Sequence, residues 1–212
     1  MKNLLCLLFA VSLYAQNFDA KRIQNLTYQL AMFQSQPDSI TNMIILKREI
    51  SRENYGSKPA IKIIETQMNK ADHDQVIIYI DARDMKPLSY EKFSKHKKVI
   101  SAQINDDQTI SMTEFSDSGE KKSTIELPKG KFFSNSFSEI VQSIDFNKTK
   151  TATYHTFTPG YPGAQIDVER IDEYTEHSVS GRDYNCWILK FTIVQNDGKT
   201  RAGGYRYVDK KT

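Results

Sequence analysis

Imidazole is the side chain most often found as a metal ligand or proton shuttle, so His73, His96, His155 and His177 come first. None forms an HxH, HxxxH or HExxH spacing, and no metal site is expected. Glu173 and His177 stand four apart in a segment that reads as a strand, where they share a face without being adjacent. Asp81 and Asp84 are the carboxylate pair that general acid–base chemistry would use. They close an apolar run beside Arg83 and shortly before Pro87, which is the setting of turn residues. Ser178-Val179-Ser180-Gly181 does not complete a GxSxG nucleophile elbow. Gly203-Gly204 lacks the lysine of a phosphate loop, and paired glycine inside a strand pattern marks a bulge or a bend. No catalytic residue and no cofactor is assigned, and the chain is read as non-enzymatic.

Charge narrows the partners. The 212 residues carry a formal net charge of +3, too balanced for a nucleic-acid binder. The densest basic run is Lys92, Lys95, His96, Lys97 and Lys98. It lacks the interleaved aromatics of a single-stranded nucleic-acid platform. A solvated strand end is the simpler reading, and peripheral contact with anionic headgroups or an acidic partner surface is the functional one.

The first sixteen residues, MKNLLCLLFAVSLYAQ, have the build of a cleavable secretory signal: Lys2, an apolar run from Leu4 to Leu13, and a small residue at Ala15. That run is too short to span a bilayer. Export to a bacterial periplasm, or secretion, is therefore expected, with residues 17–212 forming one domain. Beyond the signal the chain has one cysteine, Cys186, expected to be buried and inert within an apolar strand.

The elements that would position any site are mostly strands. Period-two patterns recur at Leu26, Tyr28, Leu30 and Met32, and again at Ile44, Leu46, Arg48 and Ile50. Val76 to Ile80 is dense in β-branched residues. Tyr184 to Val194 is the strongest strand, with Trp187, Leu189, Phe191 and Ile193 on one face and Cys186 and Ile188 on the other. The apolar phase shifts between Val168 and Ile171, which predicts a bulge. Phe137, Ile140, Val141 and Ile144 fall at helical spacing, with Ser136 and Glu139 placed as a capping box, so a helix is expected at about 136–145. Residues 18–33 read as a short irregular or helical start and then a strand.

Ten or eleven strands with short links favour antiparallel pairing. The predicted class is mainly β (α+β): a single antiparallel curved sheet, or half-barrel, with one or two covering helices. Aromatics cluster late in the chain. On the inner face of such a sheet, Tyr79, Ile144, Tyr154, Phe157, Trp187, Leu189 and Phe191 are the candidates to line an apolar cavity. The breaker cluster Pro159-Gly160-Tyr161-Pro162-Gly163 is the candidate rim or lid.

Ile78-Tyr79-Ile80-Asp81 ahead of Met85-Lys86-Pro87-Leu88 resembles the I-D-x-x-T-L-x-P turn of exported proteins of the LolA/LolB lipoprotein-carrier type. The chain is also similar to the domain-of-unknown-function family 3108. The mid-chain helix, the Gly181-x-x-Tyr184-x-Cys186-Trp187 strand and the closing Tyr205-x-Tyr207-Val208-Asp209 fit the same layout. The resemblance implies an antiparallel LolA-like half-barrel closed by helices around an apolar cavity. It implies a periplasmic carrier that buries a lipid or acyl chain reversibly, without covalent chemistry; a monomer is expected. The alternative, from another class, is a structural or adaptor protein of the cell envelope whose core is filled.

Overall fold

The computed structural model describes residues 18–36, 39–69, 73–127, 131–177, 183–195 and 200–210. The expected signal peptide lies outside them. A 3-10 turn at Ala20–Arg22 leads into eight strands: β1 (Leu26–Gln36), β2 (Ser39–Tyr55), β3 (Lys58–Gln67), β4 (Gln75–Asp81), β5 (Pro87–Ser94), β6 (Lys97–Ile104), β7 (Thr109–Ser116) and β8 (Gly119–Glu126). They form one antiparallel sheet in sequence order, each strand pairing with the next. Links this short leave the chain no route but back alongside itself. At the β5–β6 turn both Lys95 and His96 have positive φ, 51° and 61°, as the tightest hairpins require.

The second half is a separate sheet, which corrects the expectation of a single one. It contains β9 (Lys131–Phe133), β10 (Thr151–Thr158), β11 (Tyr161–His177), β12 (Asp183–Gln195) and β13 (Thr200–Asp209), in the order β13-β12-β11-β10-β9. Period-two patterning gives each strand a core face but does not say where one sheet stops. The β9–β10 pair is parallel, unlike every other pair described. A 3-10 turn at Ser134–Ser136 and helix α1 (Phe137–Ser143) make the crossover between them. The helix is thus shorter than expected. The bulge predicted near Ile171 is present, since the β11–β12 register slips between Arg170 and Asp172.

One hydrophobic core receives side chains from both sheets. Ile61, Ile63, Ile78 and Ile80 enter from the first, and Tyr154, Ile166, Val168 and Leu189 from the second. Ile140 and Val141 of α1 join them. Rings knit the two sides together, with Tyr90 of β5 lying 5.7 Å from Phe133 of β9.

Candidate functional site

The densest polar chemistry in the interior is a charge cluster around Arg48. Its register on β2 places it between Leu46 and Ile50, and all three are buried, Arg48 at 3% exposure. Arg48 Nη2 donates to Glu139 Oε2 of α1 at 2.8 Å and to the Asn135 carbonyl at 2.7 Å. Its other terminal nitrogen pairs with the Glu65 carboxylate, which also accepts from Asn135 Nδ2 at 3.0 Å. From the second sheet, Arg206 of β13 donates to Ser138 Oγ at 2.8 Å and lies 4.3 Å over the Phe137 ring. Three strands and the start of α1 are therefore tied together by two guanidinium groups.

The expected capping box is not what Glu139 forms. Ser136 makes no side-chain cap, and its hydroxyl instead donates to the Phe133 carbonyl at 2.7 Å. Glu139 is drawn to Arg48, because a carboxylate sealed from water needs a charged partner more than a backbone amide does.

Burial dominates the electrostatics. It pushes the Glu139 carboxyl above its ordinary range, against the pull of Arg48. Burial also works against the charge on Arg48, but Glu139 and Glu65 outweigh it and hold the guanidinium proton more tightly than usual. Burial lowers Arg206 and raises Tyr28, with Glu139 adding to the Tyr28 shift. Tyr90 is pushed up to about 12, and Tyr154 is raised further still, both by burial. Arg48 Nε, Glu139 Oε1 and the Tyr154 hydroxyl are buried with no hydrogen-bond partner among the described residues. A buried glutamate shifted upward is the raw material of a general acid or base. Here it stands 1% exposed, so the arrangement works as a staple between layers.

The residues expected to line a cavity fall into three groups. Ile144, Tyr154, Phe157 and Leu189 are buried in the core. Trp187 and Phe191 are half-buried and packed against it, with Lys210 Nζ 4.0 Å and the Arg170 guanidinium 4.6 Å from the Trp187 ring. Tyr79 belongs elsewhere: Ile78 and Ile80 take the core face of β4, and Tyr79 points away from it. Its hydroxyl donates to Glu53 Oε1 at 2.8 Å, and its ring lies 4.8 Å from Tyr55. In a run where both faces are apolar, alternation alone does not choose the inner one.

The rim candidates form a hairpin turn. Thr158 pairs with Tyr161, which leaves Pro159 and Gly160 outside the ladder and puts Tyr161, Pro162 and Gly163 within β11. Tyr161 is exposed and Gly163 buried. Along the basic run, Lys98 pairs with Glu91 and Lys97 lies 3.8 Å from Asp117, while Lys92 is on β5 and Lys95 in the turn. Asp81 and Asp84 do turn chemistry: Asp81 Oδ1 accepts from the Arg83 amide at 2.8 Å, and Asp84 Oδ1 from the Lys86 amide at 3.2 Å. Cys186 is buried.

Two surface hollows stand out, and neither contains any of the seven cavity candidates. One, of about 320 Å³, lies between Tyr55, Lys58, Leu88, Gln103, Asn105 and Asp106. The other, of about 260 Å³, is on the outward face of the second sheet, between Thr151, Thr153, Asp167, Glu169, Lys190 and Thr192. The charge cluster was missed from sequence, although it left a signal: Arg48 stands in the apolar phase of its strand.

No curated protein and no solved structure matches this chain. A family model described as "Protein of unknown function (DUF3108)" matches residues 38–211, a span running from the start of β2 through β13. By that match the chain belongs to the DUF3108 family.

Proposed function

We propose that this is a non-enzymatic structural or adaptor protein of the bacterial cell envelope, with an interior filled by its own side chains. The observation that supports it is the packing at the positions where a ligand cavity was expected. Phe133 and Phe157 meet at a tilt with centroids 5.3 Å apart, Phe132 and Tyr154 meet edge-on at 6.2 Å, and Phe137 meets Phe191 at 5.3 Å. A bound acyl chain gains about 0.8 kcal/mol per buried CH₂. It would have to displace rings that already have that burial. The carrier alternative, a half-barrel of the lipoprotein-carrier kind, therefore requires the two sheets to part. Export rests on the signal-like residues 1–16.

The test is mass spectrometry on an organic extract of the mature protein, purified from a bacterial periplasm without detergent, alongside titration with a fluorescent fatty acid. Absence of lipid together with absence of uptake is expected. A lipid recovered near one per protein, and lost when Trp187 and Phe191 are replaced by polar residues, would overturn the filled-core reading in favour of the carrier.

A further inference from the structure

The outward face of the five-stranded sheet is built differently from its inner face. Cross-strand register lays it out in rows. Thr153, Asp167, Thr192 and Gly203 stand side by side, and Thr151, Glu169, Lys190 and Tyr205 form the next row. Beyond them Tyr207 stands beside Ile188, and its ring meets Tyr174 of β11 edge-on at 5.7 Å. The β10, β11 and β12 members of the first two rows floor the 260 Å³ hollow, and Tyr205 is the cross-strand neighbour of Lys190, which lines it. Gly203 leaves its end of the row open, and a Cβ there would lie 3.0 Å from the Phe191 carbonyl oxygen.

We infer that this face is a binding site for a neutral carbohydrate chain, with Tyr205 and Tyr207 as the stacking surface and the adjoining hollow as the hydroxyl-reading floor. The two rings are 62% and 61% exposed, far more than tyrosines serving a core. They alternate along one strand on one face, which sets them about 7 Å apart. A pyranose presents an apolar C–H face, which stacks on such a ring, and a rim of hydroxyls that both donate and accept. The floor offers both functions: hydroxyls from Thr151 and Thr192 and the Lys190 ammonium line it, beside Asp167, which accepts from Thr153 Oγ1 at 2.7 Å and from Gln165 Nε2, and Glu169, which faces Lys150.

Charge selects against the other occupants. The two carboxylates are set against Lys190 and Lys150, the latter 3.6 Å from Glu169, so the face has no dominant sign for a polyanion or an anionic membrane to find. The polar rows on the Tyr205 side also distinguish it from a membrane-inserting patch, which would be apolar throughout, although Ile188 and the exposed Tyr174 lie on the Tyr207 side. An added strand is opposed as well. β13 is the sheet's edge, but Arg206 points inward from it and the register slips at Arg201, two devices that discourage edge pairing. The site lies on the surface and stands whether or not the interior admits a lipid.

The test is calorimetric titration of the mature full-length protein with cellohexaose, maltohexaose and the hexamer of β-1,4-linked N-acetylglucosamine. Vesicles of phosphatidylethanolamine and phosphatidylglycerol are run in parallel. Binding of at least one hexasaccharide is expected, weakened about tenfold by Tyr205→Ala or Tyr207→Ala through loss of one stacking ring. Tyr205→Phe keeps the ring and should keep the affinity. Tyr161→Ala, at an exposed tyrosine on the β10–β11 turn, should change nothing. Thermal melts of each variant show that the fold is intact, as exposed side chains predict. No binding of any hexasaccharide at millimolar concentration would overturn the inference. So would binding that survives the Tyr205→Ala/Tyr207→Ala double variant, or attachment to the vesicles alone through these same tyrosines.

Discussion

Arg48 and Glu139, 91 residues apart in sequence, meet at 2.8 Å with 3% and 1% of their surfaces exposed. The contact joins the eight-stranded sheet to the helix that connects β9 and β10 of the five-stranded one. Removing Arg48 leaves Glu139 sealed from water without a counter-charge, whereas removing Glu139 leaves Arg48 with Glu65.

Arg48→Met should therefore destabilise the protein by about 3–5 kcal/mol, and Glu139→Leu by less, because Arg48 keeps Glu65. The double variant should cost clearly less than the sum of the two, because it leaves no orphan between them. Urea denaturation of all four proteins measures this, and strict additivity would show that the pair is not coupled.

Tyr154 should tolerate loss of its hydroxyl. The ring is buried among aromatics, and the oxygen has no partner among the described residues. Burying an unsatisfied hydroxyl costs about 1–3 kcal/mol, so Tyr154→Phe should leave stability unchanged or raise it by up to that amount. A clear loss of stability in the same denaturation assay would reveal a partner for the hydroxyl.

Asp81 gives the acid limb of the stability profile a definite sign. Hydrogen bonds from Arg83 hold its carboxyl below the ordinary 3.8. A carboxyl lowered in the folded state adds stability that is fully present above its unfolded value, about 3.9. That stability is lost as pH falls through the lower folded value. Asp81→Asn should flatten the profile below about pH 4 and leave its shape near neutrality unchanged. Thermal melts across that range would contradict this if both proteins lost stability in parallel.

The paired glycines of β13 differ in what lies against them. A Cβ at Gly204 would stand 3.1 Å from two ring atoms of Phe191, whereas at Gly203 it would meet the Phe191 backbone oxygen at 3.0 Å. A ring can tilt more easily than a strand can move. Gly203→Ala should therefore cost more than Gly204→Ala, with both inside the roughly 1–3 kcal/mol of overpacking. The reverse order in urea midpoints would mean that the Phe191 ring is the more rigidly held neighbour.

Much of the strand pattern was legible because burial imposes alternation. Trp187, Leu189, Phe191 and Ile193 share the core side of β12, and the phase shift at Ile171 marked a real bulge. The paired glycines marked their place less directly: the β12–β13 slip is at Arg201, and the glycines themselves serve close approach to Phe191. Tyr79 was misplaced because Val76 to Ile80 has no polar phase to mark the outside. The division into two sheets had no local signal, since pairing is a choice among distant strands. Glu139 fitted a local helix-start rule, and a partner on β2 overrode it. Arg48 was the visible clue, a cation in an apolar phase whose counter-charge no nearby residue explains.

The two sheets also differ in how they can be assembled. Every pairing in the first joins neighbours in sequence, from β1 through to β8. A chain delivered amino-terminus first can complete that sheet hairpin by hairpin, before any strand of the second has been delivered. The second sheet has no such freedom at its start, because β9 finds its parallel partner only after α1 and its flanking turns have emerged. Locking of Glu139 onto Arg48 thus falls after the first sheet has been delivered, when that sheet can serve as a template.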